Sequence, residues 1–243
     1  MLDQFETGAR TCEQCDQGWL SLAADTEHTS PTSPTSSPTT LRLRCPIRHA
    51  DCDWAVAQRR HRLRLIGFGD QHLNVTLDQV RTPEARAAIG TYLAEIDANI
   101  TAGKGLWLWG PVGTGKTSVL SILAQRMLRW EPNAGYRLAL IDAAQLSRFE
   151  ELRQTLEIDW WCRCPFLLYD DLGSEGRHDW ILSTLLRIAD ERWRSGRATI
   201  VTTNIPYTER QRADWRPYAR ILDRWTDASR TTVVQLAGKG WRQ

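Results

Sequence analysis

The stretch "GLWLWGPVGTGKTSVL", Gly105 to Leu120, decides the fold. It opens as an apolar run of strand length, turns glycine-rich, and ends in helical apolar spacing that continues through Leu120, Leu123, Ala124, Met127 and Leu128. Within it, Gly110, Gly115, Lys116 and Thr117 meet the pattern G-x-x-x-x-G-K-[ST] directly after a strand and before a helix. In that setting the pattern holds phosphate. Glycines at 110, 113 and 115 admit backbone dihedrals closed to other residues, so successive N–H groups can turn inward on phosphate oxygens. The expected cradle is Gly110, Pro111, Val112, Gly113, Thr114, Gly115, Lys116, Thr117 and Ser118. A helix over Thr117 to Arg129 adds its positive end. Lys116 is expected to reach the β- and γ-phosphates of ATP, and the Thr117 hydroxyl to ligate Mg2+.

A magnesium site needs a second anchor, and "PFLLYDDLG" supplies it as an apolar strand ending in Asp170 and Asp171. Strand ends of this kind form the ligand edge of parallel sheets. Asp170 is expected to hold the metal and Asp171 to activate the attacking water; a turn and helix cap is the alternative for the pair. The strand "ATIVTTN" ends on Asn204, an amide placed to reach the γ-phosphate, with capping of the next turn by Thr203 and Asn204 as the alternative.

Around these motifs the pattern is regular. Strands are expected at "GLWLWG", "RLALIDA", "PFLLYDDL", "ATIVTTNI" and "TTVVQLA", separated by helices, which describes a parallel sheet covered on both faces. One helix is expected over Thr82 to Gly103, with Thr82 as N-cap and Pro83 at its first position. In "DWILSTLLRIADERWRS", Leu182, Leu185, Leu186, Ala189 and Trp193 form the expected core stripe. Trp160 and Trp161 are expected to be more exposed than the other tryptophans, and Cys162 and Cys164 to pack or sit at a turn.

No apolar run approaches bilayer length, and the first residues lack the features of a secretory signal. The expectation is a cytoplasmic protein, in which six cysteines favour metal ligation or buried thiols over disulfides. Cys12-x-x-Cys15 has the spacing of half a tetrahedral zinc site, which Cys45 and Cys52 would complete, with His49 as alternative fourth ligand. The tract "TSPTSPTSSPTT", residues 29–40, reads as a flexible loop between the two halves. The arginine-rich segment Arg42 to Leu65 points to an anionic partner or to a solvated helix face.

Taken together, "GLWLWGPVGTGKTSV", "LLYDDLGSE", "ATIVTTNI", "RILDRW" and "LAGKGWR" resemble the DnaC/IstB group of AAA+ ATPases, the helicase loaders and transposition helpers. The resemblance runs from about Arg59 to Arg242, and "CEQCDQGWL" is similar to the zinc-binding leader of some loaders. It implies an α/β P-loop NTPase with a five-stranded parallel sheet flanked by helices, no sizeable C-terminal lid, and a small N-terminal zinc module. The domains would be residues 1–58, the leader, and 59–243, the ATPase. Residue by residue, the resemblance makes Asn204 the γ-phosphate sensor, Arg224 the arginine finger with Arg220 as second choice, and Arg242 a second sensor. A finger acts in trans, so a homo-oligomer is implied. The expected function is ATP-dependent loading of a replicative helicase onto single-stranded DNA. Two alternatives stand beside it: a transposition helper acting on duplex DNA with a transposase, and a zinc-dependent nucleic-acid-binding adaptor with a nucleotide switch.

Overall fold

The computed structural model describes residues 19–23, 40–44, 53–128, 138–146, 155–176, 178–209 and 213–238. Cys12, Cys15, Cys45, Cys52, His49 and Arg242 lie outside them. The chain divides into two compact units, Met1–His61 and Arg62–Gln243.

In the first unit, strands β1 (Trp19–Ala23) and β2 (Thr40–Arg44) pair antiparallel, with Trp19 opposite Arg44 and Ala23 opposite Thr40. Both sequences, "WLSLA" and "TLRLR", alternate with period two, and the register sets Leu20 against Leu43 and Leu22 against Leu41. This hairpin was not expected from the sequence. It corrects the reading of residues 29–40 at one end: Thr40 opens a strand, and the tract is spanned by one strand pair.

The second unit starts within helix α1 (Asp53–Ile66). Helices α2 (Pro83–Ala94) and α3 (Ile96–Thr101) stand where one helix was expected. Glu95, at φ −111° and ψ 25°, interrupts the run, and the Asn99 side-chain amide donates to the Tyr92 carbonyl at 3.2 Å. The apolar spacing Ala85, Ile89, Tyr92, Ile96, Ile100 continues across the break, which is why it is invisible to periodicity. Thr82 occupies the N-cap position but makes no side-chain cap bond. Its hydroxyl instead donates to the Ala237 carbonyl and accepts the Ala237 N–H, both at 2.9 Å.

The five expected strands are present as β3 (Gly105–Trp109), β4 (Leu138–Asp142), β5 (Phe166–Leu172), β6 (Ala198–Thr203) and β7 (Thr231–Gln235). All pair in parallel, in the order β4-β5-β6-β3-β7. Alternate residues feed two cores, because successive side chains of a strand point to opposite faces. Leu106, Leu108, Phe166, Leu168, Ile200 and Val234 pack with α2, α3 and α4 (Lys116–Leu128). Trp107, Ile141, Leu167, Tyr169 and Val201 pack with α6 (Thr155–Arg163), α7 (Asp179–Arg194) and α8 (Ala219–Trp225), while α5 (Ala143–Leu146) follows β4 directly.

The buried line of α7 is rotated from the expected stripe. It runs through Ile181, Leu185, Ile188, Ala189 and Arg192, with Leu182 and Leu186 flanking it. Arg192 is 1% exposed, a charged residue in a core position that no apolar pattern includes. Its guanidinium donates to the carbonyls of Trp161 (2.8 Å), Cys164 (2.7 Å) and Ala198 (2.5 Å) and to the Thr199 hydroxyl (2.9 Å). Burial pushes its pKa down to about 10. Trp161, expected near the surface, is buried at 8% exposure in the core that holds Trp107 and Tyr169, whereas Trp160 is 36% exposed. Cys162 and Cys164 are buried free thiols, as expected.

Candidate nucleotide site

The C-terminal ends of β3, β5 and β6 carry the three motifs to one edge of the sheet. The loop after β3 turns with φ 83° at Gly113 and 90° at Gly115, conformations that L side chains rarely adopt. Gly110 is a glycine for a different reason than expected. Its φ is ordinary, but a Cβ there would meet the Leu236 carbonyl oxygen at 2.1 Å, so the loop starts pressed against the end of β7. Thr114 is buried with its hydroxyl on the Pro111 carbonyl (2.9 Å), and Val112 is 83% exposed. Ser118 also turns away from the loop, its hydroxyl 3.3 Å from His72 Nδ1, so these residues have only backbone to offer a phosphate.

Lys116 and Thr117 do face the neighbouring strand ends. Lys116 Nζ donates to the carbonyls of Gly110 (2.8 Å) and Pro111 (3.0 Å) and to Asn204 Oδ1 (2.7 Å). Burial lowers its pKa, opposed by the charges of Asp171 and Asp170. The Thr117 hydroxyl donates to Asp170 Oδ2 at 2.8 Å.

Strand β5 presents both of its carboxylates by breaking its own regularity. Tyr169 faces Val201 and Leu172 faces Thr203, so Asp170 and Asp171 together oppose Thr202 in a β-bulge. Asp171 has φ 61°, the one non-glycine positive φ among the described residues. In an unbroken strand, consecutive side chains diverge to opposite faces. Here Asp170 binds Thr117 while Asp171 Oδ1 accepts Asn204 Nδ2 at 2.8 Å. Thr202 holds the bulge: its hydroxyl donates to Asp170 Oδ1 (2.5 Å) and accepts the Asp171 N–H (2.8 Å). Burial raises the Asp170 pKa, the hydrogen bonds from Thr202 and Thr117 oppose it, and the charges of Asp171 and Asp142 add to it. Thr202 was missed in the sequence, where a threonine in an apolar strand reads as β-propensity alone.

The alternative reading of "TTN" as a turn cap holds for one residue. Thr203 Oγ1 accepts the Ile205 N–H at 3.1 Å and donates to the Leu172 carbonyl, leaving Asn204 for the site. A cavity of about 340 Å³ opens beside Asn204, lined also by Leu172, Gly173, Ser174 and Trp215. The carboxylate and hydroxyl of Asp170 and Thr117 are hard oxygen donors already at contact distance, a donor set that fits Mg2+. Among the described residues, no group of three or more His, Cys, Asp or Glu could hold a metal by itself.

The α8 arginines differ in setting. Arg224 Nε bonds Asp190 at 2.9 Å and its guanidinium lies 4.5 Å from the Trp193 ring, within the α7–α8 seam. Arg220 is exposed.

The fold is similar to that of several solved structures. A DnaI structure aligns at TM-score 0.58 and 20% identity over 72% of this chain and 95% of that one. The chain has the AAA+ fold. A primosome component from Streptococcus pyogenes aligns at 0.56 and 22% (72% and 93% covered), and a DnaC helicase loader at 0.52 and 24% (70% and 100% covered). A structure of AMPPCP-bound DnaA from Aquifex aeolicus aligns at 0.52 and 16%, over 70% of this chain and 51% of that one. No known family pattern matches this chain and no curated protein does. Among the described residues, no helix is long and apolar enough to cross a membrane.

Proposed function

We propose that this AAA+ chain is an oligomeric, Mg2+-dependent ATPase of the helicase-loader type. One observation carries the reading: the bonds Lys116–Asn204–Asp171 and Thr117–Asp170–Thr202 tie the phosphate loop, the β5 carboxylates and the β6 amide into one constellation. Lys116 binds the phosphates, and Thr117 with Asp170 holds the metal, which supplies charge neutralisation at the transferring phosphoryl group. Asp171 accepts the proton of the attacking water, and Asn204, bonded to both Asp171 and Lys116, reports the γ-phosphate. The strained backbone of Asp171 agrees with this, since left-handed conformations at non-glycine residues concentrate at functional positions.

An arginine from a neighbouring subunit completes the site. The resemblance ranks Arg224 first. The geometry favours Arg220, which is exposed, whereas Arg224 would have to leave Asp190 and Trp193. Arg242 would act on the nucleotide of its own subunit.

A replicative helicase is the proposed partner and single-stranded DNA the proposed substrate of loading, on the likeness to DnaI and DnaC. A zinc module of Cys12, Cys15, Cys45 and Cys52 is proposed on the cysteine spacing in the sequence alone, which has the form of a tetrahedral thiolate site.

The test is ATP turnover with Mg2+ in the wild type and in Asp171→Asn. Turnover should fall by about 10²- to 10⁴-fold, the contribution of a general base, with ATP binding kept. Undiminished turnover in the variant would exclude Asp171 as the base. Co-elution with a replicative helicase supports the loader; filaments on duplex DNA with no helicase complex would favour the transposition helper.

A further inference from the structure

Thr202 is fully buried on the one strand that separates the two halves of the metal site. Strand β6 lies between β5 and β3, so the strand carrying Asp170 and the strand feeding the phosphate loop are not neighbours. Two strand spacings divide them, about 9–10 Å. Asp170 reaches the Thr117 hydroxyl across the end of β6, and Thr202 is the β6 side chain that bonds it on the way. The strand period puts both there. Leu168 and Ile200 pair in register within the core beside α4, and two residues on, Asp170 and Thr202 end those two apolar rows.

A buried hydroxyl has one proton to give and lone pairs to fill. Thr202 gives its proton to Asp170 Oδ1 at 2.5 Å, which leaves Oδ2 for Thr117, and it accepts the Asp171 N–H at 2.8 Å. That N–H belongs to the stretch that the bulge takes out of register. The next residue secures the other flank, since the Thr203 hydroxyl donates to the Leu172 carbonyl and accepts the Ile205 N–H, both backbone groups. The two threonines therefore do different work. Without the Thr202 hydroxyl, Asp170 Oδ1 and the Asp171 N–H would each lose a buried partner, and the penalty would favour a regular strand. In a regular strand Asp171 would follow Tyr169 to the face opposite Asp170, away from the site.

We propose that Thr202 is a positioning residue: its single hydroxyl holds the metal-binding carboxylate and the backbone of the water-activating one in a fixed relation, so that Mg2+ affinity and turnover both depend on it. The inference rests on the hydrolysis reading above. Serine would keep both bonds, whereas valine, equally suited to a strand, would keep the shape and lose them.

The experiment compares wild type, Thr202→Val, Thr202→Ser and Thr203→Val as full chains, reading the Mg2+ affinity of the ATP-bound protein and steady-state ATP turnover. T202V is expected to bind Mg2+ about 10- to 100-fold more weakly, as when a group that orients a metal ligand is removed. Its kcat should fall by about 10-fold or more, with KM for ATP at saturating Mg2+ within about twofold. T202S should recover most of both losses. T203V, which removes bonds to backbone alone, should keep Mg2+ affinity within about twofold of wild type, the test that separates this role from general support of the bulge. Wild-type Mg2+ affinity in T202V would overturn the proposal. So would a loss in T202S as large as in T202V, or equal weakening by T203V. Should T202V fail to fold, Thr202→Ala, which sets no methyl in place of the hydroxyl, decides on the same readings. A wild type that turns over no ATP at any Mg2+ concentration would instead refute hydrolysis itself.

Discussion

Gly110 shows how a single residue at this edge serves the site through packing. Gly110→Ala would drive a methyl into the Leu236 carbonyl, backbone against backbone, with no flexible side chain to yield. The expected outcome is a loss of about 2 kcal/mol or more in denaturant unfolding, in the range of overpacked cores. A loop that merely needed a special dihedral would lose ATP affinity at constant stability. Burial raises the pKa of the Glu175 carboxyl, and the sign of its pH effect follows. The folded state then binds the proton more tightly than the unfolded state, so this group's contribution to stability falls as pH rises from the ordinary value of 4.5 through the raised one, and then levels. Thermal unfolding of E175Q should lack that decline, so the difference from wild type should change across this window. At this scale the chemistry-bearing residues were legible, because Lys116, Thr117, Asp170, Asp171 and Asn204 each end a strand or start a helix in a recognisable word. Thr202 was not, since its role depends on which elements the fold brings alongside it.

At the scale of elements, all five strands of the main sheet could be read from apolar runs bounded by turns. What periodicity could not supply was the irregularity. One extra residue in β5 changes no composition, yet it sets both carboxylates toward the site. Glu95 breaks a helix whose apolar spacing continues unbroken, and the hairpin β1–β2 pairs strands too far apart in sequence for a turn signal to join them. Arg192 escaped because a core guanidinium reads as surface. Substituting Arg192 by Met would leave the carbonyls of Trp161, Cys164 and Ala198 without their donor. The expected cost is about 3 kcal/mol in urea unfolding, the scale of a buried charged hydrogen-bond group removed from its partners. A cost below about 1 kcal/mol would mean that the clamp adds little beyond its packing.

For the whole molecule, the proposed chemistry is divided between subunits. Lys116 serves its own site and an α8 arginine serves the neighbour's, so the variants Lys116→Ala and Arg220→Ala should each be inactive alone. Mixed, they should regain turnover that neither shows, because an R220A subunit beside a K116A subunit forms one intact site. No recovery on mixing, with stable mixed oligomers present, would place the finger elsewhere, with Arg224 next to be tested.

The central claim is that the phosphate loop and the β5 carboxylates hold one metal. Its most direct test is the Mg2+ affinity of the ATP-bound chain in wild type, Thr117→Ala, Asp170→Asn and the double variant. The account predicts that each single substitution weakens Mg2+ by about 10-fold or more, with the two effects non-additive. Wild-type Mg2+ affinity in both single variants would contradict it.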